Sequence, residues 1–297
     1  MLFCGQEQLG KKTLAIEFAK MLDCSSKDSK GNPCQACRSC QDIQKGMHPD
    51  LILVEPASQK GEIQISQIRE LQRKLSLRSY SNGFKIAILD KAHSMNQEAQ
   101  SCFLKLLEEP RGRTALILIT EYPEMLFPTI LSRVQRLKFS SVDRAEIEKH
   151  IISRGVSQKD AKYFTDISLG KPGLAITLAA NADKAESQQK AVSDLIKIGE
   201  SDLSFRFKYA KELTGADSED KGKNLQEVLS IWLGYLREKL IGHFKEEEKG
   251  NLKREIFDGY PAPKLVKVIN LLQSTIFLMS STNINQKLAF EILLTEI

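Results

Sequence analysis

The order of hydrophobic and polar positions divides the chain into two parts of different character. In the first part, short apolar runs alternate with segments whose apolar residues recur at helical spacing, as at Leu14, Phe18 and Leu22. Uninterrupted apolar runs indicate strands buried on both faces, so the alternation predicts an α/β fold with a mostly parallel sheet covered by helices. The predicted strands are residues 1–4, 51–54, 85–89, 115–119 and 137–139.

The second part begins near Ser140 and shows helical periodicity without a convincing strand. Asp143 stands where a cap of the first helix is expected, and the glycines and proline of Gly170–Gly173 break the first helical block. Wide apolar faces around Trp232 and between residues 265 and 278 predict amphipathic helices that pack on one another. We therefore predict that everything after about residue 140 is all-α.

Composition narrows the class of protein without naming a function. The 297 residues are 41% hydrophobic and 27% charged, as in ordinary globular proteins. No apolar stretch has the length of a transmembrane helix and no basic leader marks a signal peptide, so we expect a cytoplasmic protein without a membrane partner. The net charge of +5 permits a nucleic-acid partner and does not require one.

A glycine-containing loop between the first strand and the first helix resembles a phosphate-binding loop. Gly5 and Gly10 let backbone N–H groups turn inward, the helix N-terminus favours an anion, and Lys11 adds a positive charge. The next position usually carries a hydroxyl that ligates Mg²⁺, but here it is Lys12. Thr13 lies about 100° further around the helix. The simpler alternative is a glycine turn that caps a helix.

The third predicted strand ends in an acid, as a Walker B segment does. Asp90 stands where such segments help to hold Mg²⁺. The following position typically carries the glutamate that activates water, but here it is Lys91, and a cation cannot act as that base. On its own the segment could also be a strand that ends at a turn.

Cysteine spacing gives the sharpest chemical signal. Crowded cysteines in a cytosolic protein indicate a metal site before they indicate disulfides, and four thiolates suit a structural, tetrahedral Zn²⁺. An iron–sulfur cluster, free thiols, and His48 as a replacement fourth ligand remain alternatives. We expect Cys4 and Cys102 to lie in the core. The predicted zinc ligands are Cys24, Cys34, Cys37 and Cys40.

Segments along nearly the whole chain resemble the bacterial DNA polymerase III clamp-loader subunits, which are AAA+ proteins. Phe103–Pro110 resembles the LLKxLEEPP stretch of clamp-loader ATPases. Pro128–Val134 resembles the family's SRC motif, with Val134 in place of the cysteine. The other segments that carry the resemblance are Phe3–Ala15, the four-cysteine insertion, His48–Asp50, Gln67–Leu71 and Asn285–Leu294.

The resemblance implies a three-domain subunit of a five-membered ring. Residues 1–140 would form a RecA-like AAA+ domain with a zinc-binding insertion at 24–40, residues 141–198 a helical lid, and residues 199–297 a helical collar. The implied partners are the gamma/tau and delta subunits, the sliding clamp, and primer–template DNA reached through the complex. Arg133 matches the SRC arginine, which in this family enters the neighbouring subunit's ATP site.

Three departures from the family pattern point to its delta-prime type, a subunit without its own ATPase. Lys12 replaces the metal-ligating hydroxyl, Lys91 replaces the water-activating acid, and Gly173 stands where the sensor 2 arginine is expected. Thr120 matches the sensor 1 position. The degenerate nucleotide positions Gly5, Gly10, Lys11, Thr13 and Asp90 make ATP with Mg²⁺ a doubtful cofactor for this subunit.

The resemblance thus implies an ATPase-deficient subunit of a DNA-directed DNA polymerase, a nucleotidyltransferase holoenzyme active in DNA replication. Two alternatives remain at this stage: an active gamma/tau-like ATPase, and a free-standing zinc protein that binds nucleic acid. Arg69, Arg73, Lys74 and Arg78 on a predicted helix favour a solvated face over a DNA-facing stripe.

Overall fold

The computed structural model divides the chain into two compact units. The first contains residues 1–142 and 171–173, and the second contains residues 143–170 and 174–297. The division at residue 142 falls close to the change of character in the sequence, whereas the finer separation of lid from collar at residue 198 stays a prediction. The described residues are 1–57, 61–80, 83–109, 112–214, 219–246, 260–281 and 284–297.

A five-stranded parallel sheet organises the first unit and confirms the predicted α/β fold. The sheet order is β2-β3-β4-β1-β5. Because all strands run in the same direction, the loops that follow β1, β2, β3 and β4 meet at one edge of the sheet. The strands are β1 (Leu2–Cys4), β2 (Leu51–Val54), β3 (Lys85–Leu89), β4 (Thr114–Thr120) and β5 (Arg136–Lys138).

Helices cover both faces of this sheet. Alternate residues of β3 enter different cores: Ile86 and Ile88 pack on the side of the first helix, and Ala87 and Leu89 pack on the side that contains Phe103. This explains the continuous apolar run of that strand, since both of its faces are buried. The helices are α1 (Lys11–Asp23), α2 (Arg38–Gln44), α3 (Ile65–Ser76), α4 (Gln97–Glu108) and α5 (Pro128–Leu131).

The second unit is helical throughout the part of it that the structure describes. Its core centres on Trp232, which is fully buried, packs against Phe290 with ring centroids 5.7 Å apart, and donates its indole N–H to Ala191 O at 2.8 Å. The helices are α6 (Arg144–Ser153), α7 (Gln158–Ile167), α8 (Pro172–Ala180), α9 (Ala182–Glu200), α10 (Leu203–Thr214), α11 (Glu219–Glu246), α12 (Ala262–Ser281) and α13 (Gln286–Glu296).

Helix boundaries follow local capping chemistry. The Asp143 carboxylate accepts a hydrogen bond from Ala145 N at 2.8 Å, which confirms the predicted cap at the start of α6. The Asn96 side chain caps α4 in the same way, through Ala99 N at 2.8 Å. Among the described residues, no helix combines the length and apolar character needed to cross a membrane.

Candidate phosphate-loop site and metal centre

The loop between β1 and α1 depends on two glycines. Gly5 has φ 150°, and a Cβ at this position would lie 2.5 Å from Phe139 O. Gly10 adopts φ 85° and forms the N-cap of α1. Both conformations favour glycine over other residues. The predicted strand–loop–helix context of the motif is therefore present.

Lys11 turns back onto its own loop. Its ammonium donates to the carbonyl oxygens of Gly5 and Gln6, and the residue is buried. Burial lowers the pKa of Lys11 to about 8, although the carboxylates of Glu7 and Asp90 partly offset the effect. The side chain that would meet a phosphate is thus engaged with carbonyl groups of the loop.

Lys12 lies beside Asp90, the acid at the Walker B position, and beside Glu55, which no motif predicted. Its Nζ is 3.2 Å from Asp90 Oδ2 and also donates to Glu55 Oε1, at the end of β2. Burial lowers the pKa of Lys12, but the hydrogen bonds with Glu55 and Asp90 outweigh burial and raise it above its usual value. Thr13 is exposed on the next position of α1.

Lys91 also pairs with a carboxylate near the phosphate loop. It adopts φ 53°, and its Nζ lies 3.3 Å from Glu7 Oε1 in the phosphate loop. Its backbone N–H donates to Asp90 Oδ1 at 3.0 Å. A cation therefore stands at the position that needs a base, and an ion pair joins it to the loop.

The end of β4 carries a histidine contact that sequence reasoning missed. Thr120 is buried, and its Oγ1 lies 3.0 Å from His93 Nδ1 and accepts from Tyr122 N at 3.1 Å. Burial, reinforced by the positive charge of Lys91, lowers the pKa of His93 to about 4. A lone histidine in a turn gives no sequence signal for this contact.

Gly173 touches the phosphate loop through its backbone. Its N–H donates to Gln8 O at 2.9 Å, and a Cβ at this position would lie 2.8 Å from the same oxygen. Any larger residue, including the arginine of the sensor 2 pattern, would therefore require the loop to shift.

The four predicted zinc ligands converge. The sulfur atoms of Cys24, Cys34, Cys37 and Cys40 all lie within 4.8 Å of one another, and those of Cys24 and Cys37 are 4.0 Å apart. A tetrahedral zinc with Zn–S bonds of about 2.3 Å places its sulfurs about 3.8 Å apart, so the donor set fits the ion. A hydrogen bond from the Cys40 backbone lowers the pKa of Cys37 to about 6, which favours the thiolate that a metal binds.

The residues around the cysteines tie the insertion to the sheet domain. His48 is not part of the sulfur cluster; its Nε2 lies 3.0 Å from Asp23 Oδ2, and both side chains are buried. Lys20, also buried, donates to Glu17 at 2.7 Å and to Gln35 at 2.8 Å. These contacts favour a packing role for His48 over the alternative of a fourth metal ligand.

The remaining cysteines and basic residues lie outside these sites. Cys4 and Cys102 are partly buried, and Cys102 packs against the core that contains Phe103, as expected for a core position. On α3, Arg73 and Lys74 both pair with Glu70, as on a solvated face. Pro110, which completes the resemblance to the LLKxLEEPP stretch, lies outside the described residues.

Arg133 follows α5 at the surface of the first unit. Its Nη1 donates to Thr129 O at 3.0 Å, and its Nη2 lies 3.0 Å from Glu108 Oε1. The Arg133 side chain is 41% exposed, so it is oriented by its neighbours and still accessible.

Comparison with known proteins identifies the first unit. Residues 1–143 match the family described as "DNA polymerase III, delta subunit". The chain is 35% identical over 191 residues to DNA polymerase III subunit delta' of Bacillus subtilis, and 37% identical over 132 residues to that of Pseudomonas aeruginosa. Residues 1–143 of this chain belong to the clamp-loader subunit family. The recognition made from the sequence motifs is confirmed.

The extent of these matches is limited. They cover 64% and 44% of this chain, and 56% and 40% of the two relatives, so the chain spans about half the length of the curated relatives that it matches. A 25% identical alignment to subunit tau of Bacillus subtilis covers all of this chain and 56% of that protein.

Among solved structures, a DNA polymerase III gamma subunit-related protein from Thermotoga maritima matches with a TM-score of 0.40 and 17% identity, over 97% of this chain and 98% of that one. RuvB from the same organism matches with a TM-score of 0.43 and 15% identity, over 92% and 79%.

Proposed function

We propose that the chain is a clamp-loader subunit of the delta-prime type that does not hydrolyse ATP and acts on a neighbouring subunit's ATP site. The observation that carries the loss of ATPase is the contact of Lys12 with both Glu55 and Asp90. Phosphoryl transfer relies on a metal held near the phosphates and on a group that orients the attacking water. Here a lysine ammonium lies at the acids, and a second lysine replaces the base.

Magnesium does not fit the phosphate-loop edge, by which we mean the end of the sheet where Lys11, Lys12 and Lys91 lie near Glu7, Glu55 and Asp90. Mg²⁺ prefers octahedral oxygen coordination at about 2.0–2.1 Å, but the carboxylates of Glu55 and Asp90 already share an ammonium. The hydroxyl that would complete the metal site is absent from position 12. We therefore derive no chemical step of this chain from Mg²⁺ or ATP.

Zinc, by contrast, fits the cysteine cluster, and its role would be structural. Four thiolates leave no open coordination position for a substrate. Cys24 comes directly after α1, Cys37 caps α2, and Cys40 lies within α2, so one ion would join the two helices through the insertion at 24–40. Such an ion stabilises local structure because the cysteines of an unfolded chain are not preorganised.

Arg133 would supply the chemical contribution of the subunit. A guanidinium is planar and always charged, and it matches the charge that spreads over the transferring phosphoryl oxygens. Contacts with Glu108 and Thr129 hold it after α5, while its remaining surface is open to an adjoining protein. Acting in trans, it would stabilise the transition state in the neighbouring subunit's ATP site, where it would be this chain's contribution to the chemistry.

The proposed assembly is a hetero-pentameric ring with the gamma/tau and delta subunits. The helical second unit would provide the lid and the collar through which ring subunits associate. The ring would open the sliding clamp and place it on primer–template DNA, and this chain would contact DNA only as part of the complex.

Reconstituted rings test the proposal through Arg133→Ala. We expect rings containing this variant to assemble but to show reduced DNA- and clamp-stimulated ATPase and reduced clamp loading. Loss of one arginine finger costs ~10³–10⁵ in rate at its own site, but total turnover falls less because other sites keep their arginines. Arg133→Lys should rescue poorly, since a point charge lacks the fork geometry.

Arg136→Ala provides a matched control, because Arg136 is exposed on the nearby strand β5. This control should leave both activities unchanged. Unchanged loading and ATPase for Arg133→Ala would remove the proposed action in trans. Failure of the chain to join a ring with gamma/tau and delta would overturn the assignment to a clamp loader.

A further inference from the structure

The carboxylates at the phosphate-loop end of the sheet all have lysine partners or neighbours without a ligand. Lys11, Lys12 and Lys91 lie among the carboxylates of Glu7, Glu55 and Asp90, and Lys171 adds a further positive charge near Lys11. In a working phosphate-loop ATPase the bound metal and phosphates complete the charge balance of the site. Here the chain's own ammonium groups already offset the acids.

Lys12 makes the contacts that a bridging cation would make. It lies in the first turn of α1, and its two partners stand at the ends of β2 and β3, so one ammonium links three elements. Exposed ion pairs usually contribute little to stability. Lys12 differs because its removal would leave two carboxylates without the cation that they share.

The loop itself is closed by further internal contacts. The carbonyls of Gly5 and Gln6 accept from Lys11, and that of Gln8 accepts from Gly173 N at 2.9 Å. Lys91 adds an ion pair with Glu7 at 3.3 Å. Every one of these contacts would resist the rearrangement that a phosphate group requires.

We propose that the Lys12 ammonium is a built-in cation that takes the place of a divalent metal between Glu55 and Asp90. It holds α1 to the ends of β2 and β3, so the first unit keeps its form with neither Mg²⁺ nor a nucleoside triphosphate. The degenerate site is thus a structural ion-pair cluster, in which the ammonium group of a lysine side chain has replaced an exchangeable metal ion.

A double-mutant cycle on the isolated full-length, zinc-loaded chain tests this role without nucleotide or other subunits. Thermal midpoints would be compared for wild type, Lys12→Met, Asp90→Asn and the double variant. We expect Lys12→Met to lower the midpoint by roughly 2–4 °C. Asp90→Asn should cost less in the Lys12→Met background than alone, because the partner of Asp90 is already gone.

The pair Lys74 and Glu70 is the matched control. The Lys74 side chain is 49% exposed, against 44% for Lys12, but its contact lies within α3 at 3.6 Å and joins no separate elements. Lys74→Met should shift the midpoint by less than about 1 °C. An effect of Lys12→Met no larger than this, or strict additivity with Asp90→Asn, would overturn the proposal.

Two further measurements keep the test decisive. Lys12→Arg retains a cation and should therefore be more stable than Lys12→Met. This comparison remains informative if the methionine variant fails to fold. An equal loss of stability in both variants would contradict a role for charge. Addition of Mg²⁺ with ATP should leave the wild-type midpoint unchanged, and a clear rise would show that a metal displaces Lys12. Since no ring is needed, these results are independent of whether Arg133 acts in a neighbour.

Discussion

Arg133 Nη2 lies 3.0 Å from Glu108 Oε1, which ties the arginine proposed to act in a neighbouring subunit to the last residue of α4 in its own chain. Thr129 O holds another nitrogen of the same guanidinium, Nη1, at 3.0 Å. A long side chain that is held in this way loses less conformational entropy when it enters a partner's site. We therefore expect Glu108 to act as a positioning residue for Arg133.

The first prediction is that Glu108→Gln weakens the action of Arg133 without abolishing it. The amide can still accept a hydrogen bond but no longer carries the charge that attracts the guanidinium. In reconstituted rings we expect a several-fold loss of stimulated ATPase, smaller than that of Arg133→Ala. Glu109→Gln, at the exposed next residue, is the control. Wild-type activity for Glu108→Gln, with Arg133→Ala impaired, would show that the ion pair does not position the arginine.

The second prediction concerns the isolated chain, which should show no ATP hydrolysis above background. Changing Lys91→Glu alone should not restore turnover, because Lys12 still lies at Glu55 and Asp90 and no hydroxyl is available for Mg²⁺. Steady-state phosphate release by purified protein is the measurement. Turnover typical of AAA+ enzymes that disappears in Lys11→Ala would contradict the assignment and favour an active gamma/tau-like subunit.

The third prediction is one zinc ion per chain at the four-cysteine cluster. Elemental analysis after purification without chelator should give a ratio near one, and Cys37→Ser should lower it sharply. Cys102→Ser is the control, because Cys102 lies outside the cluster. Removal of the metal should lower the thermal midpoint, since binding and local folding are coupled. Metal content near zero under reducing conditions would leave only free thiols, and iron with sulfide would indicate a cluster instead.

Strong local sequence patterns predicted most of the fold. The continuous apolar run 86–89 lies in β3 because both faces of that strand are buried, and the cysteine spacing at 24–40 brought four sulfurs together. The substitutions Lys12 and Lys91 were evident from the motifs, but their partners were not. A long, flexible lysine side chain can pair with any carboxylate that tertiary structure brings near it. Glu55 lies 43 residues from Lys12 in the sequence, so the sequence does not predict this pair.

Other features depend on close contacts that form only in the folded chain, and no sequence pattern predicts them. Gly173 was evident as a missing arginine, yet the proximity of Gln8 O to its backbone follows from folding alone. His48 precedes β2, and its buried contact with Asp23 depends on how α1 ends beside that turn. The contact of His93 with Thr120 joins a residue that follows β3 to the last residue of β4.

The last prediction is that His93 makes the stability of the first unit depend on pH in the acid range. The pKa of His93 is about 4 in the folded chain, against an ordinary value of 6.5, because burial and the charge of Lys91 disfavour its protonated form. Between these two values the unfolded chain binds a proton that the folded chain does not. The stability contributed by neutral His93 is therefore complete above pH 6.5 and is lost as pH falls towards 4. His93→Gln should remove this dependence, on the order of 1–3 kcal/mol across the window.

Scanning calorimetry of both proteins from pH 4 to 8 would measure this dependence as a difference in stability that narrows as the pH falls. All other titratable groups are common to both proteins and largely cancel in the difference. His150→Gln, at an exposed histidine of α6, should run parallel to wild type. A wild-type minus His93→Gln difference that stays constant over this range would show that His93 takes up its proton equally in both states.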